Sequence, residues 1–308
     1  MAIRHAGCRT MTQPPANNPF APVFHGDPAE LPTDSALIAG MPYRHYKGGA
    51  YAVFGIGRLE ADLAPVVVYR AMRDPSLLWV RRADVFTEPV ATPQGEVPRF
   101  APDWPAALAC LHFLPRKSVL DVLALHDTPY RHYHDRRHIL EMFDAAHARG
   151  IVLDRAQALA VLCHDAVYVA GCEHNEAASA ALIETVAPDV GRAVLDRAAQ
   201  IVLDTRAHTA SIAESATVLD LDLLRLAAAP DVFDAHSQDV FAENRALLAA
   251  RTGLQGEALQ AEFLRRRAAF LNQLAQRPQL FLTDDFADCE APARANIARI
   301  VSAAGGVR

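Results

Sequence analysis

Hydrophobic and polar positions follow two different rhythms along this chain. Between residues 41 and 90, Tyr, Val, Phe and Trp cluster in short runs, YRHYKGGAYAVFGIG, PVVVYRAM and LLWVRRADVF, separated by Gly, Asp and Pro. β-branched and aromatic residues in short runs between breakers predict strands. From about residue 105 onward Ala, Leu, Arg and Glu dominate, and apolar residues recur at three- and four-residue spacing, which predicts helices. Gly150 stands where the helix opening near Arg136 should stop. Asp154 followed by Gln157 reads as a capping box that opens the next helix. Pro188 separates EAASAALIETVA from GRAVLDRAAQIVLDTRAH, and later helices are expected near 217–228, 231–251, 256–276 and 290–303.

The resulting organisation is a mainly α protein: a helical bundle preceded by a small β-rich domain. Residues 1–35, with QPPANNP in their middle, read as a mobile arm. Residues 36–90 read as the β-rich domain, 91–104 as a proline-rich linker, and 105–308 as the helical domain.

Composition narrows the class. The 308 residues are 51% hydrophobic, enough for a sizeable core and too many for a disordered chain. A net charge of −6 weighs against non-specific nucleic-acid binding. The five cysteines (Cys8, Cys110, Cys163, Cys172 and Cys289) form no CxxC pair, so reduced thiols in a cytoplasmic setting are expected. No apolar run is long enough for a membrane span, and the N-terminus lacks the apolar core of a signal peptide.

The candidate chemistry lies in the helical part. YRHYHDRRHI supplies His134 and His138, four apart and so on one face if helical. His164 and Asp165 are adjacent at the end of an apolar helix, His208 sits in DTRAHT, and Asp220 and Asp222 in VLDLDLLRL. Imidazoles and carboxylates are suitable ligands for Mn, Fe, Co, Ni, Zn or Mg. A buried Asp165 requires a positive partner, which is either an arginine or a cation. His134 and His138 are equally readable as exposed residues at an Arg-rich helix start, and Asp220 as a helix cap.

The ordered pattern H…HD…D, with the words YRHYHDRRHI, CHDAVYVAG, HNEAASA, DTRAHT, LDLDLLRL and EAPARANI, resembles the HD superfamily of metal-dependent phosphohydrolases over about residues 105–303. That resemblance implies an all-helical HD-domain bundle with His138, His164 and Asp165 as metal ligands. Its fourth ligand would be Asp222 or Asp220, with Asp222 preferred and only one of the two facing the ion. His208 stands where some HD enzymes ligate a second ion. The implied activity is hydrolysis of a phosphate ester, a nucleotide or other small phosphorylated metabolite, by metal-activated water, as a phosphomonoesterase or phosphodiesterase. Glu176 is the candidate general acid/base, Arg131, with its neighbours Arg136 and Arg137, a candidate phosphate fork, and His134 an orienting, substrate-binding or ligating residue. His174 replaces the acid usual in the HNEAASA word. Arg294 and Asn296 are expected to pack or cap. The alternative is a non-catalytic nucleotide- or RNA-binding module with a structural metal site. Oligomeric state is not legible.

The N-terminal words also resemble a small uncharacterised bacterial domain family, through Tyr43, His45, Tyr46, Lys47, Gly48, Tyr69, Arg70, Trp79, Arg81 and Phe86, with Arg82 where that pattern commonly has Pro. Interleaved aromatic and basic residues suit either a ring- and phosphate-binding surface or a core with solvated cations.

Overall fold

In the computed structural model, residues 42–71, 74–93 and 95–305, with Leu37, are described. The expected arm, residues 1–35, lies outside them. The β-rich module carries an antiparallel five-stranded sheet ordered β4-β3-β2-β1-β7. Its strands are β1 (Pro42–His45), β2 (Ala50–Arg58), β3 (Pro65–Ala71), β4 (Asp74–Arg82) and β7 (Phe100–Pro102). A short helix α1 (Ala83–Thr87) and a hairpin of β5 (Pro89–Thr92) with β6 (Gly95–Pro98) complete it. The stretch 91–104 is therefore not a linker. It supplies strands, and Phe100 on β7 drops into an aromatic core with Tyr43, Tyr69 and Phe86. Phe86 and Phe100 stack at 4.1 Å, and the tyrosines meet them edge-on. Three prolines suggested a linker, but proline is compatible with edge strands, where its missing N–H need not face a partner.

A 3₁₀ turn (Ala106–Leu111) leads, among the described residues, into nine further helices: α2 (Arg116–Leu125), α3 (Arg136–Ala148), α4 (Arg155–Cys163), α5 (Asn175–Val186), α6 (Arg192–Thr205), α7 (Ser215–Leu223), α8 (Pro230–Thr252), α9 (Gly256–Ala275) and α10 (Ala287–Gly305). The α7 helix tightens into a 3₁₀ turn, Leu224–Ala227, so the helix expected over 217–228 is two elements. Helix α4 is apolar on every side and sits at the centre, with Ala156 and Ala158 through Cys163 all buried. Its alanines let α2, α3, α5, α6 and α7 pack around it. The capping box is present: Asp154 accepts from the Gln157 amide at 2.9 Å, and Gln157 accepts from the Asp154 amide at 3.0 Å. Gly150 adopts φ +71°, the left-handed turn that ends α3. Gly253 does the same at the corner where α8 folds back to α9. Among the described residues, no helix is long and apolar enough to cross a membrane.

Candidate metal centre

Side chains from separate segments, His138, His164 with Asp165, and Asp222, come together. Helix α3 starts at Asp135, whose carboxylate accepts from the amides of Arg137 and His138, and this cap fixes the first turn that carries His138. His164 is the C-cap of α4, and Asp165 follows it out of the helix. Asp222 lies in the last turn of α7. The ligand atoms of His138, His164 and Asp165 lie within 4.8 Å of one another. His138 Nε2 is 3.0 Å from Asp222 Oδ1, and His164 Nε2 is 3.1 Å from Asp165 Oδ2 and 3.7 Å from Asp222 Oδ1. With metal–ligand bonds of about 2.1 Å, neighbouring ligands of an octahedral ion stand about 3 Å apart, so these spacings suit a shared cation.

Proton placement agrees. His164 Nδ1 lies 3.1 Å from the Val161 carbonyl, so Nδ1 carries a hydrogen and Nε2 is the nitrogen turned to the carboxylates. That Nε2 is buried with no hydrogen-bond partner. A ring nitrogen aimed at two carboxylates, its other nitrogen tied to a carbonyl, is how proteins orient a metal ligand. Among the described residues, Asp165 and Asp222 form ion pairs only with histidines. Burial opposes ionisation of both acids, yet the neighbouring imidazoles hold their carboxyls well below the usual range. His164 is correspondingly pushed well up by Asp165 and Asp222 against the effect of burial, whereas burial keeps His138 low.

Asp220 is not part of this group. It points the other way and accepts from the amides of Leu282 and Thr283 at 2.6 and 2.8 Å and from the Thr283 hydroxyl at 2.7 Å. Two residues apart on α7, the two acids face different neighbours. His208 does join: its Nε2 is 3.0 Å from Asp222 Oδ2, the oxygen opposite the one facing His138. The loop carrying His208 is held from both sides. Asp204 accepts from Ser211 and Ser215, and Arg277 donates to the carbonyls of His208 and Ala207 at 2.5 and 2.7 Å. His208 itself sits at φ +47°, a left-handed conformation that a non-glycine residue keeps only where its surroundings enforce it.

His134 precedes α3 rather than riding on it, so it does not share a helical face with His138. Its position depends on a residue that did not stand out in the sequence, Glu243 of α8. One oxygen of this fully buried side chain accepts from three consecutive amides, His132, Tyr133 and His134, at 2.8 to 2.9 Å. The other takes His134 Nδ1 at 2.7 Å. A carboxylate only accepts, so Nδ1 carries a hydrogen that it donates to Glu243. The available signal was an acid at helical spacing in an apolar stripe, between Val240 and Leu247.

Arg131 does not present a phosphate fork. Its guanidinium donates to the carbonyls of His134, Asp165 and Ala166, tying the two histidine segments together. Arg136 pairs with Asp127, and Arg137 with Asp135. Three arginines beside the histidines looked like anion ligands, but backbone carbonyls and nearby carboxylates use them. Glu176, two residues past the N-cap of α5, lines a cavity of about 550 Å³ together with His134, His164, Asp165, His208 and Asp222. Arg294 donates to Glu290 and to the carbonyls of Ala275 and Arg277, while Asn296 caps Leu226 and Ala228.

Residues 41–102 match a family described as a protein of unknown function, DUF1653. The crystal structure of a protein of that family from Bordetella bronchiseptica is 34% identical over 20% of this chain and 82% of that chain, with a TM-score of 0.19. No curated protein matches the chain. The matched span runs from the residue before β1 to the end of β7, one complete sheet with its aromatic core. The N-terminal module of this chain, residues 41–102, thus belongs to the DUF1653 family.

Proposed function

We propose that the helical part, residues 105–308, is a metal-dependent phosphohydrolase that cleaves a phosphate ester of a small molecule with water. The observation that carries this reading is the convergence of His138, His164, Asp165 and Asp222, with the buried His164 Nε2 unpartnered at its centre. The resemblance of the same residues to the HD pattern supports it. A divalent ion held by these four residues would supply a Lewis acid that lowers the pKa of water and offsets phosphoryl charge.

The protein's own groups have separable roles in this proposal. His138, His164, Asp165 and Asp222 would hold the ion. Asp222 places its second oxygen 3.0 Å from His208 Nε2, a contact that orients the carboxylate. His134, held through Nδ1 by Glu243, lines the cavity and is positioned to hydrogen-bond a ligand there. Glu176, on the cavity wall, is the candidate to exchange protons with water or the leaving alcohol. Leu223 and Leu226, also on that wall, limit the water around the reacting centre. A panel of phosphate mono- and diesters assayed with Mn, Co, Ni and Mg tests the reading. It predicts turnover with at least one ion and loss of at least a hundredfold in kcat/KM in Asp165→Ala. Absence of turnover on every ester with every ion would turn the assignment toward a binding module.

A further inference from the structure

The cavity above the histidines extends well beyond the space a phosphoryl group occupies, and its two ends differ in character. One end holds His134, His164, Asp165, Glu176, His208 and Asp222. The other is walled by the α8–α9 hairpin, through Val240, Leu247, Leu248, Phe263, Phe270 and Leu274. At about 550 Å³ the whole is within the range of sites that enclose a small organic molecule.

Several polar side chains on the cavity wall already have partners within the protein. Asn244 Nδ2 donates to the Val240 carbonyl at 2.9 Å, Thr205 Oγ1 to Val202 at 2.7 Å, and Arg267 Nε to Ser237 at 3.1 Å. A nucleobase placed against these leucines and phenylalanines would bury any ring nitrogen or exocyclic group that finds no partner there, which is unfavourable. An alkyl or aryl body has no such groups and gains from covering leucine and phenylalanine. Arg206 and Arg251, which also line the cavity, form no ion pair among the described residues and are exposed. They place positive charge at the entrance, which favours an anionic ligand.

From this division we infer that the site takes phosphate monoesters of apolar alcohols, with the phosphate toward the histidines and the hydrocarbon body along α8 and α9. The inference rests on the hydrolase reading above and names its substrate class. In the reaction the oxygen of water bonds to phosphorus as the ester P–O bond breaks, and the proton of water passes to the departing alcohol, giving inorganic phosphate.

The test uses the full chain loaded with Mn and a series of n-alkyl phosphonates from ethyl to octyl, which bind without being cleaved, measured by calorimetry. Alkyl phosphates of the same lengths and adenosine monophosphate are assayed alongside. Each methylene that enters the apolar end should tighten binding about fourfold until the cavity is full. Phe270→Ser, at a half-exposed position that should not disturb folding, should flatten that dependence for the longer chains and leave ethyl phosphonate unchanged. Affinity independent of chain length, binding of no phosphonate, or tighter binding of adenosine monophosphate than of the octyl compound would overturn the inference. Length-dependent binding without hydrolysis of any ester would uphold the ligand class while removing the catalytic reading.

Discussion

Replacing Glu243 by glutamine keeps the side chain's shape and removes its charge. The wild-type carboxylate receives four hydrogen bonds, three from consecutive amides and one from His134. Burial works against its ionisation, but the bonds from His134 and those amides win, and its pKa falls to about 2 from the ordinary 4.5. At 1.36 kcal/mol per tenfold change in proton affinity, the folded state holds this anion about 3 kcal/mol more favourably than the unfolded chain does. Because the folded pKa is the lower one, that contribution is complete above about pH 4.5 and disappears as pH falls toward 2. In Glu243→Gln the amide oxygen can still serve the three backbone donors, but its NH₂ then meets the protonated Nδ1 of His134. The imidazole must give up either that contact or its tautomer. Urea unfolding at pH 7 should show a loss of about 3 kcal/mol, a midpoint shift of roughly 1 M. The gap between wild type and variant should narrow when the titration is repeated near pH 3.5. A shift below about 0.2 M at pH 7, or a gap that stays constant with pH, would show that Glu243 does not hold the 132–134 segment in this way.

Other consequences are equally direct. Asp220→Ala should cost roughly 3 kcal/mol through the loss of its bonds to Leu282 and Thr283, yet leave metal affinity within about twofold; a folded variant that fails to bind metal would put Asp220 back among the ligands. Arg277→Met, which releases the carbonyls of Ala207 and His208, should weaken metal binding roughly tenfold. Calorimetry should show that effect vanish in a His208→Ala background, and additive losses would mean that Arg277 does not act through His208. Ala158→Leu should overpack the core around α4 and cost about 1–3 kcal/mol, read as a lowered melting temperature; an unchanged value would contradict the close packing at that position.

Much of the helical layout was legible because its signals are local. The capping box at Asp154 and Gln157, the stop at Gly150 and the uniformly apolar run of α4 each involve residues within a turn or two of one another. The metal-centre candidates were legible as a set because imidazole and carboxylate are uncommon beside an apolar helix end. What escaped depended on long-range partners. Between Asp220 and Asp222 the resemblance preferred Asp222, but what occupies Asp220, the amides of Leu282 and Thr283, lies far along the chain. Arg131 looked like an anion ligand until the carbonyls of Asp165 and Ala166 occupied it. Glu243 lies more than a hundred residues from the segment it organises. The extent of the β module was misjudged because its last strand, β7, pairs with its first, a contact that local proline content disguises.

The central claim is that His138, His164, Asp165 and Asp222 together hold a divalent ion. Its most direct test is the metal content of the purified, Mn-loaded chain and of folded His164→Ala and Asp165→Ala variants, measured by elemental analysis after dialysis. The account predicts about one ion or more per chain in the wild type and almost none in either variant. Full metal content in both variants would contradict it.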